Sequence, residues 1–362
     1  MRVGLVIYGD LEHPSGGFLY DRMLLGTLRQ AGDEVAVISL PWESYGRCLA
    51  HNLSNSVRTR LRDWQGDLLL QDELVHPSLF LVNRIPQRTP GFPIVSIVHH
   101  LRTSEKPPGV GRWISRIVER AYLRTVDAFV FNGEVTRQSV RLLCTTSGPG
   151  IVAPPGGDRL GSGITEADID ARAADGNPFR VLFVGNLIPR KGLLTLLRAL
   201  AMSAGADWLL TVAGSRAADP AHVRQVDRFV TERGLGESVR MRDHLTDGEL
   251  AAELRAAHVL AVPSAYEGFG IVYLEAMGFG VVPIGSTEGG ATEVIEDGRS
   301  GFLVRPGDAA ALAAVIERLR TNRELLGSCA RAALLRFRQF SGWEARMKEV
   351  RAWLVALARE GS

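Results

Sequence analysis

Two successive series of short β-branched or Leu-rich runs, most followed by a stretch with helical spacing, constrain this chain more than any other feature. The first series predicts strands at 2–8, 34–40, 67–70, 93–98 and 126–131, with helices at 17–31 and 111–125. Strands that alternate with helices pair in parallel through right-handed crossovers, so the series predicts a doubly wound α/β domain. A second series opens on Arg180-Val181-Leu182-Phe183-Val184-Gly185, runs through strands near 208–213, 239–242, 258–262 and 281–284, and closes with helices after 307. Between the two, Thr145-Thr146-Ser147-Gly148-Pro149-Gly150 and Pro154-Pro155-Gly156-Gly157-Asp158 are turn formers, followed by a Gly, Ala and Asp-rich tract. The expected division is a domain over 1–160, a linker over 161–178 and a second domain over 179–340. The last stretch, 341–362, carries Trp343, Met347, Val350, Trp353, Leu354 and Leu357 at helical spacing and is expected to cross back to the first domain.

A length of 362 residues exceeds what one core usually organises, which agrees with two domains and a cleft between them. The apolar start at 3–8 is too short for a signal-peptide core and is followed by Asp10 and Glu12, so it reads as a buried strand. No run approaches the roughly 18 to 20 apolar residues that cross a bilayer. Three scattered cysteines, Cys48, Cys144 and Cys329, argue against a disulfide framework or a zinc ribbon, and the expected compartment is the cytoplasm. A net charge of +2 gives no ground for a nucleic-acid partner. Of 42 basic residues only Lys106, Lys191 and Lys348 are lysines, so Lys191 departs from a strong arginine habit.

Leu260-Ala261-Val262-Pro263-Ser264 reads as a strand leaving its sheet at the C-terminal edge, where open α/β folds bind ligands. Gly268 and Gly270 then allow close backbone approach, and the helical pattern from Gly270 through Ile271 presents unpaired N–H groups and a positive dipole end to an anion. Glu267 and Glu275 bracket this turn, at most about 12 Å apart along a helix axis at 1.5 Å per residue. That span suits an extended ligand with a diphosphate between two sets of hydroxyl groups. Arg190 and Lys191 open a helical pattern just after a strand, and a basic pair at a helix N-terminus is unfavourable unless an anion lies there.

The segment 267–275 resembles the motif of two glutamates separated by seven residues found in the family 4 glycosyltransferases, which have the GT-B fold. Phe183-Val184-Gly185-Asn186-Leu187-Ile188-Pro189-Arg190-Lys191-Gly192 is similar to that family's diphosphate loop. Gly289-Gly290-Ala291-Thr292-Glu293-Val294-Ile295-Glu296-Asp297-Gly298, with Gly301-Phe302-Leu303-Val304, is similar to its downstream block. In the first domain the resemblance rests on Gly16-Gly17, His99 and the stretch 154–158.

The resemblance implies two Rossmann-like doubly wound domains facing a central cleft, acceptor-binding in the first and donor-binding in the second. It implies transfer of a sugar, with retention, from a nucleoside-diphosphate sugar, UDP- or GDP-linked, to a hydroxyl acceptor that is a saccharide, a lipid-linked molecule or a small molecule. Glu267, His99, Arg190 and Lys191 are the expected catalytic set. Gly16, Gly17, Arg190, Lys191, Ser264, Gly268, Phe269, Gly270, Ile271 and Glu275 are expected to bind the donor. No cofactor and no metal are expected.

Several features carry competing readings. His99 and His100 end the run at 93–98, and a structural histidine is the alternative to a sugar contact by His99. Gly16-Gly17 suits a backbone approach to phosphate or a plain turn. Asp168-Ile169-Asp170 has the form of an Asp-x-Asp metal motif but sits in a polar tract after no strand. Arg112, Arg116, Arg120 and Arg124 recur every fourth residue beside Trp113, Ile114, Ile117, Val118 and Ala121, giving a helix that is either a solvated face or a peripheral contact with an anionic membrane. Asp72, Glu73 and His76 follow a strand and are candidates for the acceptor border.

Among rival functions, a nicotinamide enzyme lacks Gly-x-Gly-x-x-Gly after any strand, and a P-loop NTPase lacks its motif altogether. A GT-B relative with other nucleotide-sugar chemistry, and a non-catalytic nucleotide-sugar-binding partner, remain as alternatives. Retention of both glutamates and both basic residues favours an enzyme.

Overall fold

A computed structural model describes residues 1–84, 91–105, 109–145, 148–161, 163–175, 178–202 and 207–360. Thr146 and Ser147 of the expected turn, positions 162, 176 and 177 of the expected linker, and the last two residues of 341–362 lie outside them. The chain divides into two compact units, Met1–Pro155 with Trp343–Ser362, and Gly156–Gly342.

The first unit holds six parallel strands, β1 (Arg2–Tyr8), β2 (Glu34–Leu40), β3 (Leu68–Asp72), β4 (Ile94–Val98), β5 (Ala128–Phe131) and β6 (Gly150–Val152), in the order β2-β1-β3-β4-β5-β6. β3, β4 and β5 are buried along their whole length, which is why they read as largely apolar runs instead of alternating ones. β6 was not expected: three residues at the sheet edge, entered through Pro149 and opening on Gly150, leave no periodicity to detect. After β1, Ser15 caps the helix Gly16–Gln30, which buries Phe18, Leu24, Leu25 and Leu28. The terminal helix Trp343–Glu360 belongs to this unit and packs on that first helix. It buries Trp343, Met347, Val350 and Leu354, and Arg351 reaches Asp33 at 2.6 Å.

The second unit holds β7 (Phe179–Val184), β8 (Trp208–Ala213), β9 (Val239–Arg242), β10 (Val259–Ala261), β11 (Val282–Ser286) and β12 (Phe302–Val304), all parallel, in the order β12-β11-β10-β7-β8-β9. The chain leaves β7 toward β8 and β9, then returns to lay β10 on the other side of β7. This reversal opens a crevice between the loops that follow β7 and β10. The three-residue edge strand β12 is, like β6, an addition to the expected set.

The stretch expected as a linker contains the helix Glu166–Ala174, which is part of the second unit. Asp168 closes a capping box with Thr165, and Asp170 pairs with Arg331, so both aspartates are engaged by neighbouring protein groups. No helix among the described residues is long and apolar enough to cross a membrane.

Candidate active site

The crevice of the second sheet is bordered by the two loops that carry the expected chemistry. From β7 the chain turns through Gly185 into a 3-10 turn, Pro189–Lys191, and the helix follows only at Leu193. Arg190 and Lys191 therefore stand in the turn ahead of the helix and do not open it. Gly192 joins the two at φ +76, where a Cβ would lie 2.2 Å from the Pro263 carbonyl oxygen. Only glycine allows this approach, and it draws the turn against the loop after β10. Ala265 N–H donates to the Arg190 carbonyl at 2.7 Å, and the Arg190 guanidinium donates to the Tyr266 carbonyl at 2.8 Å.

Lys191 Nζ reaches Glu267 Oε2 at 2.7 Å, and Ser264 Oγ donates to the same oxygen at 3.0 Å. Burial alone would raise the Glu267 pKa, but the charges of Lys191 and Arg190 outweigh it and hold the carboxyl below the usual range. The second glycine pair supports this segment from behind. Cβ atoms on Gly289 and Gly290 would come within 2.1 Å and 2.2 Å of the Glu267 and Gly268 carbonyl oxygens, and Gly290 N–H donates to the Glu267 carbonyl at 2.8 Å.

Gly270, at φ +87, caps the helix Ile271–Gly278; Tyr273 N–H donates to the Gly270 carbonyl at 2.9 Å, while the N–H groups of Ile271 and Val272 precede any carbonyl that the helix could offer them. Two expected donor-binding side chains are placed elsewhere. Ser264 is fully buried and fixes the Glu267 carboxylate, so it acts through that residue. The Phe269 ring is buried against Phe340, with centroids 6.3 Å apart, leaving only its backbone to a ligand. Glu275 lies inside the helix and is 5% exposed at the side chain, where Arg159 Nε and Nη2 donate to its Oε1 at 3.0 and 2.8 Å. Arg159 was missed in the sequence, where 116 positions separate the partners and no spacing rule joins them.

In the first unit, Gly17 and His99 lie against each other. The His99 ring lies over Gly17, where a Cβ would be 3.0 Å from its Cδ2. His99 N–H donates to Glu73 Oε2 at 2.9 Å, and its Nε2 lies 3.3 Å from Asp21 Oδ1. Burial would lower the imidazole pKa, but Glu73 and Asp21 outweigh it and raise it. His100 instead meets Glu105 at 2.8 Å. Asp72, raised by burial and by the charges of Glu73 and Asp21, completes this buried group. Among the described residues, Asp21, Asp72 and His99 are the trio that each bring one ligand atom to within 4.8 Å of the others. Asp21, on the face of the first helix, gave no signal in the sequence. His76 is buried, with Nδ1 on the Glu73 carbonyl at 2.8 Å.

Two six-stranded parallel sheets, the second with a basic turn, a half-buried Glu267 and a buried Glu275 at its reversal point, define the GT-B class of fold. Residues 165–336 match the family described as Glycosyl transferases group 1. A D-inositol 3-phosphate glycosyltransferase of Thermomonospora curvata is 33% identical over 238 residues, which cover 60% of this chain and 54% of that protein. The chain thus spans about half the length of the curated relatives it matches, among them this one. Sucrose-phosphate synthase from Thermosynechococcus elongatus superposes with a TM-score of 0.82 at 23% identity over 98% of each chain. Anabaena HepE in complex with UDP-glucose superposes with a TM-score of 0.78 at 19% identity, over 98% of this chain and all of that one, 100%. At these identities the structural likeness is one of fold.

Proposed function

We propose that the chain is a retaining glycosyltransferase that moves a sugar from a nucleoside-diphosphate sugar, UDP- or GDP-linked, to a hydroxyl acceptor. The observation that carries this reading is the Lys191–Glu267 pair beside the N-terminus of the helix Ile271–Gly278, at the reversal of the second sheet. A diphosphate gains charge as its bond to the sugar breaks. Lys191, Arg190 and the N–H groups after Gly270 bind the departing diphosphate more strongly than the intact donor, which lowers the barrier. Glu267, held ionised, accepts hydrogen bonds from hydroxyls of the transferred sugar, and Glu275 serves the ribose. No enzyme nucleophile is needed, because the acceptor hydroxyl attacks on the leaving-group side and gives its proton to a phosphate oxygen. His99, at the ligand edge of the first sheet with its protonated form favoured, is assigned to a sugar hydroxyl. Acceptor binding is assigned to the first unit. Cationic side chains and a helix terminus do here what a metal does in other transferases, so no metal or other cofactor takes part.

The match of residues 165–336 and the nucleotide-sugar complex of the Anabaena neighbour support this reading. Thermal unfolding with a panel of nucleoside diphosphates and nucleotide sugars tests it. A ligand at a hundredfold its dissociation constant adds about 2.7 kcal/mol of stability. Stabilisation by UDP or GDP and their sugars is expected; stabilisation by NAD alone would overturn the reading.

One observation favours a peripheral location as well. The helix Val110–Leu123 buries Ser115, Val118, Glu119, Tyr122 and Leu123, yet leaves Val110, Trp113, Ile114 and Ile117 exposed at 75%, 64%, 38% and 48%. These four occupy positions i, i+3, i+4 and i+7, one face of a helix, with Arg112, Arg116, Arg120 and Arg124 exposed alongside. An apolar stripe flanked by arginines matches an anionic lipid surface, and we assign that surface as its occupant.

A further inference from the structure

Glu275 enters the proposed function as the group that serves the ribose, but a carboxyl so deeply buried does not hold that role unaided. Burial favours its neutral form and leaves its pKa above the usual carboxylate range even with Arg159 opposing that shift. The guanidinium binds one side of the carboxylate only. Nε and Nη2 both point at Oε1, Nη1 is bound to Asp247, and Oε2 accepts no hydrogen bond from the described residues. Arg159 is brought there by the backbone. Gly157 lies so close to the helix Ile271–Gly278 that a Cβ would sit 2.6 Å from Leu274 Cγ and 3.1 Å from the Leu274 carbonyl carbon. Two residues further on, Arg159 stands over Glu275, 18% exposed at its side chain, while Asp247 begins the helix Asp247–Ala256 and anchors the far end of the fork.

We infer that Arg159 is a positioning residue of the donor site, holding Glu275 by Oε1 so that Oε2 is presented as an acceptor to a ribose hydroxyl of the nucleoside diphosphate. This rests on the donor-site reading above. The fork is planar and fixed by two carboxylates, so the orientation of Glu275 is set before a ligand arrives. Removal of the guanidinium leaves a buried carboxyl with nothing to oppose protonation, and a protonated carboxyl presents a donor where an acceptor is needed. The consequence is a pH dependence of nucleotide affinity that a latch with a purely structural role would not produce.

The experiment measures dissociation constants for uridine diphosphate and guanosine diphosphate by calorimetry from pH 5.5 to 8.5. It compares the intact chain, Arg159→Gln, Arg159→Lys and Glu275→Gln. Glu275→Gln, which does not titrate, is expected to bind more weakly with a flat profile, and the intact chain is expected to vary less with pH than Arg159→Gln. Arg159→Gln is expected to bind at least tenfold more weakly at pH 6 and to recover part of that loss by pH 8.5. Arg159→Lys, which keeps the charge and loses the fork, is expected to stay within about threefold of the parent at pH 8, and it carries the test if Arg159→Gln fails to fold. Donor KM should rise in Arg159→Gln with kcat at saturating donor changed by less than threefold. Arg159→Gln binding like the parent across the range overturns the inference, and so does a loss of equal size at every pH that Arg159→Lys does not rescue. If the intact, folded chain binds neither diphosphate, the donor-site reading itself falls and takes this inference with it. A parent that binds while Arg159→Gln is unaffected removes the inference alone.

Discussion

Lys191 Nζ and Glu267 Oε2 lie 2.7 Å apart, one on the loop after β7 and the other on the loop after β10. The pair spans the reversal of the second sheet, with the side chains 15% and 12% exposed. Each partner lowers the cost of burying the other, and in the proposed mechanism a diphosphate arriving beside them finds a cation already in place. Lys191→Met is expected to lower turnover at least a hundredfold, about 2.7 kcal/mol of lost transition-state stabilisation. Because it strands the Glu267 carboxylate, it should also lower stability by about 2 kcal/mol, below the 3–5 kcal/mol of a fully buried pair. Steady-state kinetics and denaturant unfolding of the single and double variants with Glu267→Gln check both figures. Turnover within twofold of the parent would remove Lys191 from the mechanism.

The turn that delivers Lys191 depends on Gly192. Gly192→Ala meets both a left-handed φ of +76 and the Pro263 carbonyl at 2.2 Å. Gly298, at φ +73 with open space where a Cβ would go, meets only the first of these. Gly298→Ala should cost about 1 kcal/mol, the price of the backbone conformation alone. Gly192→Ala should cost well over 2 kcal/mol and displace Lys191, so that nucleotide binding falls with it. Equal unfolding free energies for the two variants would show that the loop after β10 yields without consequence.

Lys191 and Glu267 were legible in the sequence as separate site candidates because each lies within a short, contiguous signal of strand, glycine turn, charged residue and helix, but their ion pair, across 76 positions, was not. β1, β3, β4 and β5 were legible because burial on both faces writes largely apolar runs, and the edge strand β2, buried only at Ile38 and Leu40, because it is rich in β-branched residues. What the sequence did not show was set by distance along the chain. The contact of Arg159 with Glu275, of Asp21 with His99, and of the His99 ring with Gly17 all join residues far apart, and each partner alone looks ordinary. Ser264 and Phe269 were assigned to the ligand because their neighbours face it. Alternation and packing turned their side chains inward, toward Glu267 in one case and toward Phe340 in the other.

Acid should weaken the second unit through His258. Its Nδ1 accepts from Arg180 N–H at 2.9 Å, its Nε2 lies 3.0 Å from the Arg172 carbonyl, and its ring stacks on Phe179. Both nitrogens are thus satisfied in the neutral ring, and burial pushes the pKa down from 6.5 to about 4. Between these values the folded chain binds fewer protons than the unfolded one, so stability is intact above pH 6.5 and falls as pH drops toward 4. By pH 5 the loss attributable to this ring is on the order of 2 kcal/mol at 1.36 kcal/mol per pKa unit. His258→Asn keeps an acceptor for Arg180 and does not titrate. It should be less stable than the parent at pH 7.5 but lose less between pH 7 and 5, as read from denaturant midpoints. A parallel slope in the two proteins would assign the acid sensitivity elsewhere.

The buried trio Asp21, Asp72 and His99 gives the metal question a specific place to be tested. Under the proposed mechanism, in which Lys191, Arg190 and a helix terminus stabilise the leaving group, no ion is required, so turnover after exhaustive dialysis against EDTA should match that of the untreated protein, with no gain on adding Mg²⁺, Mn²⁺ or Zn²⁺. Activity lost on chelation and restored by one of these ions, but not in Asp72→Asn, would instead make the trio a working metal site.

The exposed stripe of the helix Val110–Leu123 makes the last prediction, and two kinds of variant separate its components. Apolar insertion and electrostatic attraction contribute separately to interfacial binding, and only the second is screened by salt. Full-length chain should float with vesicles containing anionic phospholipid and not with purely zwitterionic ones. Changing Arg112, Arg116, Arg120 and Arg124 to glutamine should abolish that preference. Changing Trp113 and Ile117 to serine should weaken binding even at low salt, because each buried apolar side chain contributes about 1.5–3 kcal/mol on leaving water. Both sets of side chains are exposed, so neither variant should shift the unfolding midpoint, and turnover on a water-soluble acceptor should be unchanged. Absence of flotation by the parent, or flotation indifferent to the arginines, would leave the stripe as bare protein surface and remove the membrane from the proposal.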